Sequence, residues 1–222
     1  VKDYCRDNKL ILTPCFPKFA MVYQIRVILF TLFLSSCSQQ QQPEPPQSLE
    51  FAIDSTLIDK PLNDPEFGIH FSPPKAWKSM DRKQLTALRD SAERELGNEK
   101  ISFVRGSFRA MYGFVEPHSR GVMTVARISD FDTSDGSKAS ENLRRLYLER
   151  DSLAEVSTGI FIHQGLKVFQ TRVLQSHAVT FKLVFTNKSL SAPVSFDFVL
   201  QRSSYPEFIK TIESVIGSVG IQ

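Results

Sequence analysis

Cysteine is missing from the whole chain beyond Cys37; Cys5, Cys15 and Cys37 are the only three in 222 residues. That excludes a disulfide framework and any cysteine-ligated metal site from most of the molecule. It also suits an oxidising compartment, where a stray thiol is a liability. No apolar run reaches the ~20 residues that a membrane-spanning helix requires. The catalytic signatures G-x-S-x-G, P-loop and G-x-G-x-x-G are all missing. Net charge is lacking too once the first 37 residues are set aside. Of 27 basic and 24 acidic side chains, five (Lys2, Arg6, Lys9, Lys18, Arg26) and two (Asp3, Asp7) lie there, which leaves 22 of each sign beyond. A neutral domain offers no basic stripe for counterion release, so no nucleic-acid partner is expected.

What is present begins at Met21. Arg26 is followed by the short apolar run Val27–Leu34, then Ser35, Ser36 and Cys37. A basic start, a brief apolar core and small residues before a cleavage point make a secretory signal over residues 21–36. Leu34-Ser35-Ser36-Cys37 resembles the lipobox of bacterial lipoproteins. The resemblance implies cleavage before Cys37, a diacylglycerol on its sulfur and acylation of the new N-terminus, hence a membrane reached through a lipid anchor. One acyl chain holds a protein only marginally, whereas two or more hold it stably. Residues 1–20 read as an upstream extension or a long n-region and stay outside the fold. Residues 38–47, "SQQQQPEPPQ", hold no apolar side chain and three prolines. The lipidated cysteine and this run, 37–48, are therefore expected to form a solvated tether. Glu44 alone supplies acid there, which favours a periplasm-facing position over surface export.

The globular part is expected over 49–222. Phe67, Ile69 and Phe71 alternate into a strand stopped by Pro73-Pro74. Asp81 caps a helix predicted over 82–96, with Leu85, Leu88, Ala92 and Leu96 on one face. Strands are expected at 101–105, 108–116 and 121–129. A second helix is expected over 138–155, its stripe made of Ala139, Leu143, Leu146, Tyr147 and Leu153. Four strands follow, at 159–163, 166–175, 178–187 and 193–201, joined by short turns that imply antiparallel hairpins. In the last two, Val179, Phe181, Leu183 and Phe185, and then Val194, Phe196, Phe198 and Leu200, face one way. Thr180, Lys182, Ser195 and Asp197 face the other. A final helix over 205–217 turns Tyr205, Phe208, Ile209, Ile212, Val215 and Ile216 to one side. The reading is a single α+β domain: an antiparallel sheet with packed helices.

Phe67, Gly68, Pro74 and Trp77 near the start, with Phe208, Ile212, Ser214 and Ile216 at the end, resemble the PsbP-like group, which includes DcrB-type and LpqN-type envelope lipoproteins. The likeness spans residues 65–220 and implies an α/β/α sandwich with a binding or accessory role. It carries no shared catalytic residues.

Candidate chemistry is sparse. His70, His118, His163 and His177 form no H-E-x-x-H pair, so each is expected at the surface or in a hairpin, with no metal. Asp130, Asp132 and Asp135 in "SDFDTSDGS" suggest a calcium loop, with Glu141 twelfth from Asp130. The glycine required sixth is displaced by one, however, and a strand precedes the loop where a helix belongs. A strand-to-helix connection capped by Asp or Ser explains it as well. Arg105, Arg109, Arg120 and Arg127, interleaved with Phe103, Phe108 and Tyr112, read as the solvated side of a sheet. Asn187-Lys188-Ser189 fits a glycosylation pattern. No cofactor and no catalytic residue is expected. The leading expectation is a non-enzymatic lipoprotein domain that engages an envelope protein partner. The alternative is an enzyme or small-ligand binder whose pocket has no sequence signature.

Overall fold

Strand-forming residues dominate the second half of the chain, and their alternation decides what the sheet buries. A computed structural model describes residues 46–66, 68–96, 109–128, 131 and 136–222. In chain order the elements are β1 (Gln47–Ser48), β2 (Leu62–Asp64), β3 (Ile69–Phe71), β4 (Lys78–Ser79), α1 (Arg82–Leu96), β5 (Arg109–Val115), β6 (Val122–Arg127), α2 (Gly136–Arg150), β7 (Glu155–His163), β8 (Leu166–Leu174), β9 (Ala178–Thr186), β10 (Val194–Gln201), α3 (Tyr205–Gly217) and β11 (Gly220–Ile221). Eight strands make one sheet in the order β1-β7-β8-β9-β10-β6-β5-β4, and β11-β3-β2 make a second. Every pairing is antiparallel except β1 with β7. The class is therefore α+β, as read from the sequence.

The two faces of the large sheet follow from the register. Phe196 lies opposite Leu183 and Val125. With Phe181, Phe185, Phe198, Leu200 and Met123, these make the main core. The small sheet adds Ile69 and Phe71, and α3 adds Ile212, Val215 and Ile216. Phe71 stands edge-on to Phe196 with ring centroids 5.2 Å apart, and Phe196 in turn meets Phe185 at 5.1 Å. On the opposite face, Ile128, Phe131, Phe169 and Val184 pack with Leu146 and Tyr147 of α2. At Gly113 a Cβ would come within 2.5 Å of Leu85 and 2.7 Å of Met80, so α1 rests on β5 on this same face. Helices thus cover both sides of the sheet, an α/β/α sandwich.

Local chemistry fixes the ends of these elements. The Asp81 carboxylate accepts from the Gln84 amide at 2.8 Å, and the Asp81 N–H donates to Gln84 Oε1 at 2.9 Å. This reciprocal capping box starts α1. Gln164 and Gly165, at φ 47° and 78°, join β7 to β8 in the two-residue turn whose hand matches sheet twist.

Several expectations shift. α2 stops at Arg150 because Asp151 accepts from the Leu153 N–H at 3.0 Å and turns the chain. Leu153, expected on the buried stripe, is 88% exposed. β7 begins four residues earlier than predicted, at Glu155. Ile209 is exposed on α3, whose buried arc also takes in Thr211 and Ser214. Gln47 and Ser48, assigned to the tether, form β1. Residues 62–64, 78–79 and 220–221 add short strands that no sequence pattern announced. The strand expected at 101–105 lies outside the described residues.

Phe196→Ala should lower the unfolding free energy by about 3–5 kcal/mol, since it removes the ring on which two others rest. A urea titration followed by far-UV circular dichroism checks this, and a loss below ~1 kcal/mol would show that the junction is not central.

Candidate functional site

The most concentrated polar chemistry among the described residues lies on the α1/α2 face of the large sheet. Register aligns Thr171, Lys182, Asp197 and Thr124 across β8, β9, β10 and β6. Lys182 Nζ donates to Asp197 Oδ1 and Oδ2 at 2.7 and 2.8 Å and to Ser195 Oγ at 3.3 Å. Ser195 donates in turn to Asp197 Oδ1 at 2.9 Å. The ion-paired side chains are only 16% and 15% exposed, and Ser195 is fully buried. Thr124 and Thr171 are buried on either side. Tyr147 borders the row from α2, and its phenol is pushed up to about 12 by burial, then by the Asp197 carboxylate, with Arg150 opposing.

The Lys182 ammonium donates to both Asp197 oxygens and to Ser195, and the serine hydroxyl donates to the same carboxylate. A nucleophilic serine needs a base with a free lone pair, and the ammonium has none. The cluster ties β9 to β10 through a desolvated charge pair, whose single-partner removal is costly.

A second constellation gathers where the chain enters the fold. The Leu49 N–H donates to Ile162 O at 2.9 Å, and His163 Nδ1 lies 3.1 Å from Leu49 O. Phe51 packs edge-on to His163 at 5.5 Å and against Phe161 at 5.7 Å. Farther on, the Asp54 N–H donates to Ser214 Oγ of α3 at 3.0 Å. Gln164 closes the group by donating to Gly217 O at 3.0 Å. Residues 46–54 thus cross from the β7 edge to the end of α3 as a strap. His163 stands at the β7–β8 hairpin turn, as expected, but is buried at 2% exposure rather than at the surface, because the strap folds over it. No sequence period signalled this, since its partner carbonyl lies 114 residues away.

The remaining sequence candidates are dispersed. His118 sits in the β5–β6 turn, where its N–H donates to Glu116 Oε2 at 2.8 Å. His70 is half-buried and His177 exposed. Arg127 donates to the Glu66 carbonyl, which locks it to the small sheet's turn, and Arg120 lies in a turn at φ 57°. Tyr112 donates to Asp64 Oδ2 at 2.7 Å. Burial, and then that bond, push its phenol up to about 12. Asn187 Nδ2 donates to Gly165 O at 2.8 Å, and its carbonyl oxygen accepts from Ser189. The lipobox residues Leu34, Ser35, Ser36 and Cys37, the loop aspartates Asp130, Asp132 and Asp135, and Arg105, Phe103 and Phe108 lie outside the described residues. Among those described, no three His, Cys, Asp or Glu side chains gather as a metal site would.

Comparison with known proteins gives likeness of fold. No family model matches the chain, and no curated protein matches it. A solved structure from Bacteroides thetaiotaomicron is 12% identical over 73% of this chain, with a TM-score of 0.36. This chain spans about half of that protein, 48% of its length. The Ran-binding protein Mog1p of Saccharomyces cerevisiae is 10% identical, over 73% of this chain and 94% of its own, with a TM-score of 0.43. LpqN of Mycobacterium tuberculosis, involved in cell envelope biogenesis, is 11% identical, over 78% of this chain and 98% of its own, at 0.42.

Lys182→Met alone should cost about 3–5 kcal/mol by leaving Asp197 buried and unpaired, whereas Lys182→Met with Asp197→Leu should regain most of the loss. Thermal melts of the single and double variants check this, and equal losses in both would mean that the pair is not what holds the register. Tyr112 and Tyr147 should titrate near 12, after ordinary tyrosines at about 10, as absorbance at 295 nm reports. The folded state then keeps protons that the unfolded chain has lost, so stability should fall as pH rises from about 10 to about 12. Tyr112→Phe should remove its share of that slope.

Proposed function

We propose that the chain is a lipid-anchored protein of a bacterial cell envelope, whose folded part is a non-enzymatic binding or accessory module. The observation that carries this reading is the order of parts along the chain. A basic start, a short apolar run and Leu34-Ser35-Ser36-Cys37 lead into a proline- and glutamine-rich stretch, which runs directly into β1. Cys37 is the site of lipidation, and Leu34, Ser35 and Ser36 are the residues that the processing peptidase reads. The membrane is held through the acyl chains. Residues 38–45 then act as the spacer and 46–222 as the module that works at the membrane face. Among the described residues no helix is long and apolar enough to cross a membrane.

A module that works by contact presents apolar side chains to solvent. Among the described residues the exposed large apolar ones are Leu49, Ile53, Leu153, Val199 and Ile209. They are aliphatic, with Leu49 and Ile53 on the strap, Leu153 after α2, Val199 on β10 and Ile209 on α3, and are not gathered in an aromatic patch. Partner contact therefore falls to the sheet's margins and helix surfaces, not to one broad apolar plate.

Intact mass of the protein taken from its native membrane tests the reading. A mature chain beginning at Cys37 with added acyl mass is expected, and Cys37→Ser should accumulate with residues 21–36 uncleaved and no lipid. A native protein that retains residues 21–36 without lipid would overturn the anchor. Mild proteolysis should release a resistant fragment that starts between residues 45 and 48. First cleavage within β7–β10 would contradict that division of the chain.

A further inference from the structure

β7 is an edge strand over most of its length. It pairs with β8 at all nine positions, but β1 covers it only at Phe161 and Ile162. The Leu49 amide donates to Ile162 O, so Ile162 directs its main-chain groups outward, and strand alternation makes Ile160, Thr158 and Val156 do the same. Among the described residues no strand lies beside Val156 and Thr158. Sheet edges of this kind are normally blunted by lysine, proline or a bulge. From Glu155 to Ile160 this one carries none of the three, and its pairing with β8 is regular.

A parallel strand that continued the β1 alternation would need an N–H at every second residue. Gln47 and Leu49 point their amides at β7, so residues 45 and 43 would have to donate next. Both are prolines and have no N–H to give.

The edge is, however, complementary to itself. Consider a second copy laid antiparallel about a two-fold axis at Ser157. Val156 then faces Thr158 of the other copy, so two β-branched pairs form and four main-chain hydrogen bonds cross the axis. Ser157 meets its own counterpart. Glu155 meets Gly159, where the space that a side chain would fill is open, so no like charges oppose one another. Arg172, which donates to Ser157 Oγ at 3.2 Å, stands on the same face one strand behind. The ladder ends one place short of β1. Leu153, 88% exposed, lies at one end of the bare edge, and Leu49, 41% exposed, lies at the other. The two-fold brings the Leu153 end of each copy to the Leu49 end of its partner.

We propose that the β7 edge at Glu155–Ile160 is a self-docking surface, through which two copies of this chain join their large sheets into one. Confinement of both copies to a single bilayer, which rests on the lipid-anchor reading above, raises their effective concentration and favours so short a ladder. The interface is isologous and closes on itself, so it stops at two copies.

The test uses the full chain purified in detergent micelles, with intact mass recorded on the same preparation. Sedimentation velocity over a hundredfold range of concentration should show a monomer–dimer equilibrium. Thr158→Pro removes an outward N–H and none that faces β8, so it should weaken dimerisation at least tenfold with an unchanged far-UV spectrum. Leu153→Asp, in the loop outside the ladder, should weaken it in the same direction and serves if the proline variant folds poorly. A monomer at every concentration overturns the proposal, as does a dimer that neither variant weakens. The mass measurement keeps the two readings apart: an acylated monomer sinks the self-docking surface and leaves the anchor standing, whereas an unlipidated dimer does the reverse.

Discussion

The contact on which the rest of the fold depends is the edge-on packing of Phe71 against Phe196. It is the point where a three-stranded sheet, too small to be stable alone, is fastened to an eight-stranded one. Phe196 is wholly buried and also meets Phe185, so one ring organises both the inter-sheet seam and the interior of β9 and β10. A perpendicular ring pair adds a directional preference to the area it buries, and that fixes the angle at which β3 crosses the larger sheet. Once β3 is placed, β11 must pair with it, and the end of α3 is fixed by that pairing. Ser218 marks the join: its hydroxyl accepts from the Ser72 N–H at 2.8 Å and donates to Val215 O at 2.6 Å.

The reverse face is organised differently. There the interior is split: Phe169, Val184, Ile128 and Leu146 cluster under α2, and the Lys182–Asp197 pair lies beside them. A fully apolar floor would leave several registers of β9 on β10 close in energy. A buried charge pair with a serine between its members leaves one, because any slip strands an ion without its partner. The phenylalanine face and the ion pair thus both oppose a slip of β9 on β10, the first by burial and the second by charge.

Much of this was legible in the sequence, for reasons that particular residues show. Alternation over 178–187 and 193–201 and the 3.6-residue periods of 82–96 and 205–217 are local signals, and the elements appear where those signals place them. The Asp81–Gln84 capping box is local too. What escaped detection is what depends on contacts distant in sequence. Residues 62–64 and 220–221 become strands only because β3 lies between them. Leu153 fits the α2 stripe by period but falls outside it, because the Asp151 side chain takes the Leu153 amide two residues on. Alternation puts His163 on the same face as Phe161, but its cover is a segment more than a hundred residues earlier. The site shows the same division: alternation places Lys182 and Asp197 on the face opposite the phenylalanines, but their meeting is a matter of register between two strands. No spacing within either strand encodes it.

The strap, residues 46–54, is held by distant contacts of the same kind. A two-residue parallel strand has little hold of its own, so Gln47 and Ser48 stay in place chiefly because the next residues are fastened: the Phe51 ring on Phe161 and His163, and the Asp54 amide on Ser214. Gly217 is part of the same fastening, since a Cβ there would lie 3.0 Å from Ile53 and 3.1 Å from the Phe51 carbonyl oxygen. The sheet core does not need the strap, because β7 is already paired along its whole length by β8. Opening residues 46–54 therefore costs less than global unfolding, which makes the strap a separate cooperative unit. Released, residues 46–54 would uncover more of the β7 edge.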